Sequence, residues 1–178
     1  MSNIESEIKN SIRDIPDFPK PGIIFKDLTP ILKDPELCKR VTGSFCDHLC
    51  KLSPDAIIAM DSRGFWFGLM IAGQLGIPMI PVRKEGKLPF NTIAQSYDLE
   101  YGTAKIEMHT DALKKGWKVI VHDDLLATGG TAEAASKLIL QQETTVAGYA
   151  FMIELSFLEG RHKIKKYSED ITSLAIYK

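Results

Sequence analysis

The sequence predicts an α/β fold in which helices flank a central, mostly parallel sheet. Short apolar runs at residues 55–60, 78–82, 117–122 and 146–155 alternate with segments whose apolar residues recur at helical spacing. These runs carry too few polar residues for either face of the strand to be exposed to solvent, which is typical of parallel strands buried on both faces. Strands that alternate with helices form one sheet between helical layers. Ligands of such sheets bind at the carboxyl edge of the strands.

Length, composition and charge limit the kinds of protein that the chain can be. Its 178 residues, 44% hydrophobic and 25% charged, suit a single folded domain over residues 1–178. The net charge of -1 gives no field to attract nucleic acid, and no apolar run is long enough to span a membrane. We therefore expect no nucleic-acid or membrane partner. The first ten residues place Ile4 and Ile8 between polar and charged residues rather than in a secretory pattern, so we expect a cytoplasmic protein.

Residues 1–34 are predicted to form a helix followed by a small hood. The apolar residues recur near helical spacing at Ile4, Ile8, Ile12 and Ile15. This spacing predicts an amphipathic helix over the first fifteen residues that ends at Pro16. The proline-rich segment 17–22 predicts a rigid, extended connection after it.

The remaining elements are predicted to alternate between helices and strands. Asp34 followed by Pro35 is typical of a helix start, and that helix is predicted to run to about Lys51. The charged stretch 83–91 is typical of a mobile surface loop, and with the alternating pattern after it we predict a lid loop and hairpin over residues 83–108. The other predicted elements are strands over 55–60, 78–82, 117–122 and 146–155, helices over 65–76 and 131–142, and a turn over 123–130.

The most informative stretch is residues 119–131, where a predicted strand leads through small residues into a predicted helix. The small residues are Ala127, Thr128, Gly129, Gly130 and Thr131. Free backbone N–H groups, the helix dipole and two hydroxyls can surround a phosphate monoester there. The stretch has neither the Gly-Lys-Ser/Thr of a Walker A loop nor the GxGxxG of a dinucleotide site, which argues against both kinds of site.

Two neighbouring carboxylates, Asp123 and Asp124, precede this loop. Because carboxylates repel a phosphate, they must face another group, and vicinal ribose hydroxyls or a divalent cation are suitable partners. The order of acids, small loop and helix fits a ribose 5-phosphate that lies along the turn. The residues alone also allow an acidic helix entrance that the helix dipole stabilises.

Residues 119–131 resemble the phosphoribosyl diphosphate signature of the type I phosphoribosyltransferases, in the form used by adenine phosphoribosyltransferases. Blocks that match this family in order also occur at 18–27, 60–65, 83–89 and 97–102. The resemblance implies the type I phosphoribosyltransferase fold and transfer of the 5-phosphoribosyl group from phosphoribosyl diphosphate to adenine, which gives AMP and pyrophosphate. It also implies a homodimer, and Mg²⁺ bound mainly through the diphosphate and ribose of the substrate rather than at a metal site of the protein.

The resemblance assigns a task to each block. Asp123 and Asp124 would hold the ribose hydroxyls, and residues 127–131 would hold the 5'-phosphate. The residues that would bind the leaving pyrophosphate are Asp61, Ser62, Arg63, Gly64, Arg83, Lys84 and Lys87. For the turn at 61–64, backbone donors with one guanidinium also suit a diphosphate on chemical grounds.

The resemblance further implies that adenine lies between two apolar segments and that the main chain reads its edges. The implied residues are Ile24, Phe25, Lys26, Leu125 and Leu126. Glu100 resembles the carboxylate proposed to handle the proton in this family, and Tyr101 beside it would pack on the ribose or the lid. The implied catalytic set is Glu100, Arg63 and Asp124.

The sequence departs from the family pattern at two places. His122 stands where an aliphatic residue is usual, and we interpret it as a structural histidine with a hydrogen-bond partner rather than as a base. Phe90 and Asn91 also differ from the related lids. Two alternatives to adenine transfer stay open: a regulator of this fold that senses phosphoribosyl diphosphate or nucleotide without turnover, and a transferase for another base.

Overall fold

The computed structural model describes residues 3–98 and 103–178. In chain order the helices and strands are α1 (Ile4–Ser11), β1 (Arg13–Pro16), β2 (Ile24–Asp27), α2 (Pro35–Leu49), β3 (Ala56–Met60), α3 (Gly64–Leu75), β4 (Met79–Lys84), β5 (Thr92–Asp98), β6 (Thr103–His109), β7 (Lys118–Leu126), α4 (Gly130–Gln141), β8 (Thr145–Leu155), α5 (Gly160–Ile164) and β9 (Ile171–Tyr177). None of the described helices is long and apolar enough to cross a membrane.

The main sheet confirms the predicted mostly parallel architecture. Its strands lie in the order β5-β6-β4-β3-β7-β8-β9. Five neighbouring strands of this order, β4, β3, β7, β8 and β9, are parallel. The other two, β5 and β6, form an antiparallel hairpin that pairs with β4 through β6. The chain runs outward from β3 to β4 on one side and returns to β7 on the other. A crevice opens at the carboxyl ends of strands where the order switches in this way, and β3 and β7 border it.

Helices cover both faces of the sheet, as the alternating pattern predicts. On one face, α1, α2 and α3 enclose a core that contains Phe45, Ile71 and Ile57. On the other face, α4 encloses a core that contains Leu138 and Ile58. Because Ile57 and Ile58 are neighbours on β3 and point to opposite faces, that strand is buried along its whole length.

The N-terminal helix is shorter than predicted. α1 ends at Ser11, and residues 13–16 form β1, which pairs antiparallel with β2 and sets Ile15 opposite Phe25. Pro16 favours extended backbone at Ile15, and β2 supplies the partner that makes this segment a strand. The predicted hood is therefore this two-stranded sheet. The predicted start of α2 is confirmed, because the Asp34 carboxylate accepts the N–H of Leu37 at 3.0 Å.

Two strands extend further than predicted, and both extensions concern candidate site residues. β7 continues through Asp123 and Asp124 to Leu126, so the acids lie on the strand rather than in the following turn. β4 includes Arg83 and Lys84, which were expected in the lid loop, because they pair with β6. After residue 155, for which no element is predicted from the sequence, the chain forms α5 and β9.

Candidate active site

The paired carboxylates occupy the carboxyl end of β7. Asp124 is buried, and its Oδ2 lies 2.9 Å from Nε of Arg63. Within the described residues this oxygen has no hydrogen-bond partner of good geometry, although the ion pair is close. Oδ1 of Asp123 accepts a hydrogen bond from the backbone N–H of Asp124 at 2.8 Å. The acid pair thus has a positive neighbour, and its carboxylates are groups that accept hydrogen bonds from hydroxyl donors.

The environment of the two acids disfavours a double negative charge. Burial raises the pKa of Asp123 well above its ordinary value, and the negative charge of Asp124 adds to the increase. Burial also raises the pKa of Asp124, whereas the Arg63 guanidinium acts to lower it. A ligand that brings positive charge or hydroxyl donors therefore relieves an unfavourable arrangement.

The loop of small residues connects β7 to α4. Gly129 has a φ of 77°, a left-handed conformation that favours glycine, and α4 begins at Gly130. The first helical bond runs from the N–H of Glu133 to the carbonyl of Gly129 at 2.9 Å. The N–H groups of the first turn are left for another acceptor, which makes this loop suited to an anion. A cavity of about 70 Å³ lies against residues 123–132 here.

The turn after β3 packs tightly against the acidic strand. A Cβ on Gly64 would lie 3.1 Å from Oδ1 of Asp123 and 3.2 Å from the carbonyl oxygen of His122, which is closer than an ordinary contact, so this packing favours a residue without a side chain. Asp61 forms an ion pair with Arg83, at 3.0 Å between Oδ2 and Nε. The turn thereby links the end of β3 to the ends of β7 and β4.

These elements surround one cavity of about 310 Å³ at the carboxyl edge of the sheet. Its lining residues are Met60, Asp61, Ser62, Arg63, Val82, Arg83, Lys84, Tyr97, Ile106, Asp123, Asp124 and Thr131. Both basic and acidic side chains line it. The cavity can therefore hold an anionic group and a hydroxyl-bearing group next to each other.

The loop between β4 and β5 is attached to the sheet by side chains. Arg83 donates from Nη1 to the carbonyl of Lys87 at 3.0 Å. Oε1 of Glu107 accepts the N–H groups of Lys87 and Leu88 at 3.1 Å each, and Oε2 accepts the hydroxyl of Thr92 at 3.2 Å. Glu107 is only 5% exposed. A buried carboxylate thus fixes the backbone that carries Lys87.

The hood meets the cavity through Arg63. The guanidinium carbon of Arg63 lies 5.0 Å from the centre of the Phe25 ring. The ammonium of Lys26 is held away from the cavity, because it lies 2.7 Å from Asp14 and 4.4 Å from the centre of the Tyr177 ring. The side chain of Ile24 is 58% exposed. Apolar surface and strand backbone, rather than the Lys26 charge, are what this segment can present to a flat ligand.

Comparison with known proteins agrees with this geometry. The model of the phosphoribosyl transferase domain family matches residues 29–175. The adenine phosphoribosyltransferase of Cytophaga hutchinsonii is 59% identical over 174 residues, which are 98% of this chain and 96% of the relative. The chain belongs to the adenine phosphoribosyltransferase family.

Solved structures of adenine phosphoribosyltransferases share the fold. The enzyme of Thermoanaerobacter pseudethanolicus is 46% identical, with a TM-score of 0.93, and the match covers 97% of this chain and 99% of that one. The Saccharomyces cerevisiae enzyme, solved with an imino-altritol bisphosphate and adenine, is 38% identical, with a TM-score of 0.90 and coverage of 96% and 98%. The type I phosphoribosyltransferase fold expected from the sequence is confirmed.

The structure collects most, but not all, of the residues that the phosphoribosyltransferase resemblance points to. Those around the larger cavity are Asp61, Ser62, Arg63, Arg83, Lys84, Asp123, Asp124 and Thr131. Lys87 is exposed on the neighbouring loop and does not line this cavity. Leu126 has a side chain only 1% exposed in the core, so Leu125 offers more surface to a base. Glu100 and Tyr101 lie outside the described residues, and their roles stay predictions.

The surroundings of His122 agree with a structural role but not fully with the hydrogen bond that we expect from the sequence. It is fully buried and its ring packs edge to face on Phe45 at 5.4 Å, as a structural residue would. Neither ring nitrogen makes a hydrogen bond of good geometry with the described residues. Burial lowers its pKa to about 4, and a backbone contact with Ala150 offsets this only in part. The Ala150 backbone is thus the neighbour nearest to the expected partner, although the contact lacks good hydrogen-bond geometry, and the ring stays neutral near pH 7.

Sequence reasoning missed Glu107, which this family member uses to hold the loop at Lys87. Its signal in the sequence is weak, because a glutamate in an alternating hairpin is normally solvated. The register sets Glu107 opposite Arg83 on one side and Ala94 on the other, which places it in the middle of three strands. Only that pairing shows that the carboxylate is buried.

Proposed function

We propose that the protein transfers the 5-phosphoribosyl group from phosphoribosyl diphosphate to adenine and releases AMP and pyrophosphate. One observation carries this proposal: the acids of β7, the small loop before α4 and the arginine-bearing turn after β3 meet at one edge of the sheet. Each supplies the chemistry that one part of the substrate requires. The adenine phosphoribosyltransferase names of the relatives support the same reaction.

In this proposal the sugar phosphate lies along β7 and the loop. Asp123 and Asp124, which line the cavity, accept the ribose hydroxyls. Ala127, Thr128, Gly129, Gly130 and Thr131 bind the 5'-phosphate. As the bond at C1 of the ribose breaks, the ring gains positive charge, which nearby carboxylates stabilise.

The pyrophosphate leaves toward the turn after β3. The backbone of Asp61, Ser62 and Gly64 with the Arg63 guanidinium forms its site, and Arg83, Lys84 and Lys87 add positive charge from β4 and the loop. These groups lower the barrier because they stabilise negative charge that grows on the diphosphate. Arg63 can change partners in this step, since its ion pair with Asp124 weakens when Asp124 binds a hydroxyl.

The acids also fit a role for Mg²⁺, because this ion prefers oxygen ligands and commonly binds through one or two carboxylates plus substrate phosphates. In this proposal the ion binds mainly through the diphosphate and ribose of the substrate, and Asp123 and Asp124 lie beside it on the wall of the cavity. When bound, the ion neutralises charge on the leaving group. No group of three or more His, Cys, Asp or Glu side chains among residues 3–98 and 103–178 is arranged as a metal site.

Adenine binds between the hood and Leu125 in this proposal. The main chain at Ile24 and Lys26 reads the edges of the base, and Phe25 supplies an apolar face. Glu100 handles the proton at the base, and Tyr101 packs beside it. We also propose that the protein works in the cytoplasm as a homodimer, as the resemblance implies.

An assay with separate bases tests the reaction. Purified protein, Mg²⁺ and phosphoribosyl diphosphate are mixed with adenine, hypoxanthine, guanine or orotate, and both pyrophosphate and the nucleotide are measured against a mixture without base. We expect pyrophosphate and AMP with adenine. Release only with another base would identify a different transferase. Binding of phosphoribosyl diphosphate without release for any base would instead support the regulator.

A further inference from the structure

The loop of small residues rests on a second glycine that lies far away in the sequence. A Cβ on Gly160, the first residue of α5, would lie 2.1 Å from the carbonyl oxygen of Ala127 and 2.8 Å from the nitrogen of Gly129. In return, a Cβ on Gly129 would lie 2.6 Å from the carbonyl oxygen of Gly160. Neither position has room for a side chain, so the two backbones pack directly on each other.

The contact involves only backbone atoms of the loop, which cannot rotate away as a flexible side chain can. Gly129 also needs its left-handed φ, but Gly160 has helical backbone that alanine adopts without strain. The requirement for glycine at 160 is therefore steric alone. A methyl group there must move the loop, Gly160 or both by about an ångström to restore an ordinary contact.

An ion pair between the buried Glu154 and the partly exposed Arg161 holds Gly160 in this position. The neighbouring Arg161 donates from Nε and Nη2 to the two carboxylate oxygens of Glu154, at 3.1 and 2.6 Å. Nη1 of Arg161 donates to the carbonyl of Ile171 at 3.0 Å, and the hydroxyl of Ser173 donates to Glu154 at 2.5 Å. The bidentate geometry restricts the orientation of the Arg161 guanidinium. Gly160 is thus attached to β8 and β9 rather than to a mobile surface turn.

The charge of Glu154 is stable in this setting. Burial acts to raise its pKa, but the hydrogen bonds from Arg161 and Ser173 outweigh burial and hold the pKa below its ordinary value. The carboxylate therefore stays ionised near pH 7, and the pair persists under the conditions of an assay.

A second link joins the same segment to the helix that follows the loop. Lys166, just after α5, forms an ion pair with Glu133 on the first turn of α4, at 2.8 Å. The hydroxyl of Tyr149 donates to the carbonyl of Ile164 at 3.4 Å and lies 2.6 Å from the hydroxyl of Ser136 on α4. The segment from Gly160 to Lys166 thus contacts both the loop and α4.

We infer that Gly160, held by the Glu154–Arg161 ion pair, is a positioning residue that fixes the backbone of residues 127–129 in the conformation that binds the 5'-phosphate. The inference rests on the proposed role of residues 127–131 as the 5'-phosphate site. Gly160 does not touch the substrate. It acts because backbone donors bind an anion strongly only when their directions are fixed before the anion arrives.

The test compares two ligands that occupy different parts of the proposed site. Dissociation constants of ribose 5-phosphate and of Mg²⁺-pyrophosphate are measured by titration calorimetry for the wild type and Gly160→Ala. We expect the dissociation constant of ribose 5-phosphate to rise at least tenfold and that of pyrophosphate to change less than twofold. Gly43→Ala is the matched control, because nothing lies within 4 Å of a Cβ in that helical position of α2.

A second variant keeps the test valid if Gly160→Ala does not fold, which a thermal melt reveals. Arg161→Lys keeps the charge but cannot form the planar bidentate pair, and it adds no atom to the loop contact. It should weaken ribose 5-phosphate binding at least threefold and leave pyrophosphate binding unchanged. Equal losses for both ligands, or ribose 5-phosphate affinity within twofold of the wild type in a folded variant, would overturn the inference.

The same titrations separate this inference from the proposed function. Thr131→Val removes a hydroxyl of the proposed 5'-phosphate site directly. If the wild type binds ribose 5-phosphate and Thr131→Val weakens that binding while Gly160→Ala and Arg161→Lys do not, the site stands and the positioning role is wrong. If the wild type does not bind ribose 5-phosphate, the proposed site itself is wrong.

Discussion

Replacement of Glu107 by glutamine tests whether a buried carboxylate sets the position of Lys87. One oxygen of Glu107 accepts two backbone N–H groups, and the other accepts a hydroxyl. Glutamine keeps the shape and keeps one oxygen for the two N–H donors, while its amide can donate to the Thr92 hydroxyl. The substitution therefore removes the charge and leaves the packing intact.

The size of the effect follows from the change in these hydrogen bonds. A bond to a charged group contributes about 1.5–3 kcal/mol and a neutral one about 0.5–1.5 kcal/mol. Two N–H bonds that become neutral cost about 1 kcal/mol each, so the free energy of unfolding should fall by about 2 kcal/mol. For a chain of this length that lowers Tm by about 4–8 °C.

The same loss should appear in substrate binding, because the loop becomes free to leave the position that presents Lys87. About 2 kcal/mol corresponds to roughly thirtyfold in a binding constant. We expect KM for phosphoribosyl diphosphate to rise by about 10- to 30-fold, with a smaller change in kcat. Initial rates of AMP formation at saturating adenine, together with a thermal melt, measure both effects.

Two comparisons make the result decisive. Glu85→Gln is the matched control, because Glu85 lies on the same loop but pairs with Lys105 on the exposed surface, where an ion pair contributes little. Lys87→Ala, alone and combined with Glu107→Gln, tests the route of the effect. If Glu107 acts through Lys87, the double variant binds the substrate no worse than Lys87→Ala. Fully additive losses, or an unchanged KM for Glu107→Gln, would refute the reasoning.

Three further predictions concern single residues. Asp124→Asn should lower kcat/KM for phosphoribosyl diphosphate by at least tenfold, since it removes charge from the proposed ribose site, and near-normal kinetics would remove Asp124 from that site. Glu100→Gln should lower kcat more than it changes KM, and an unchanged profile of rate against pH would reduce Glu100 to a packing role. His122→Val should make the free energy of unfolding fall less steeply as the pH is lowered. Its pKa of about 4 in the folded state lies below its ordinary value of 6.5. The unfolded chain therefore takes up the proton first, and the wild type should lose about 3 kcal/mol as pH falls from 6.5 to 4. Urea unfolding at several pH values measures this loss, and identical profiles for wild type and variant would contradict it.

The features that local sequence determines are those that could be predicted. Asp34 caps α2 because its side chain accepts the N–H of Leu37, three residues further along the chain. Residues 56–60 are all apolar, which already indicates a strand buried on both faces. The boundaries that were wrong depend on partners elsewhere in the chain. Residues 13–16 become a strand because β2 pairs with them, and Arg83 and Lys84 join β4 because β6 supplies hydrogen bonds. A helical spacing of isoleucines or a run of charges carries no information about such a partner.

The candidate site follows the same division. Its central groups could be found because a topological rule brings the carboxyl ends of β3 and β7 together whatever their sequences are. The residues that hold those groups in place could not, because their function exists only in contacts between distant segments. The role of Gly160 shows only when its backbone is seen against Ala127, and Glu107 looks solvated until three strands enclose it. Glu107 holds its loop from β6, and Gly160 holds its loop from α5, which the Glu154–Arg161 pair attaches to β8. In the proposed function, the loops that bind substrate therefore owe their geometry to residues that do not touch the ligand.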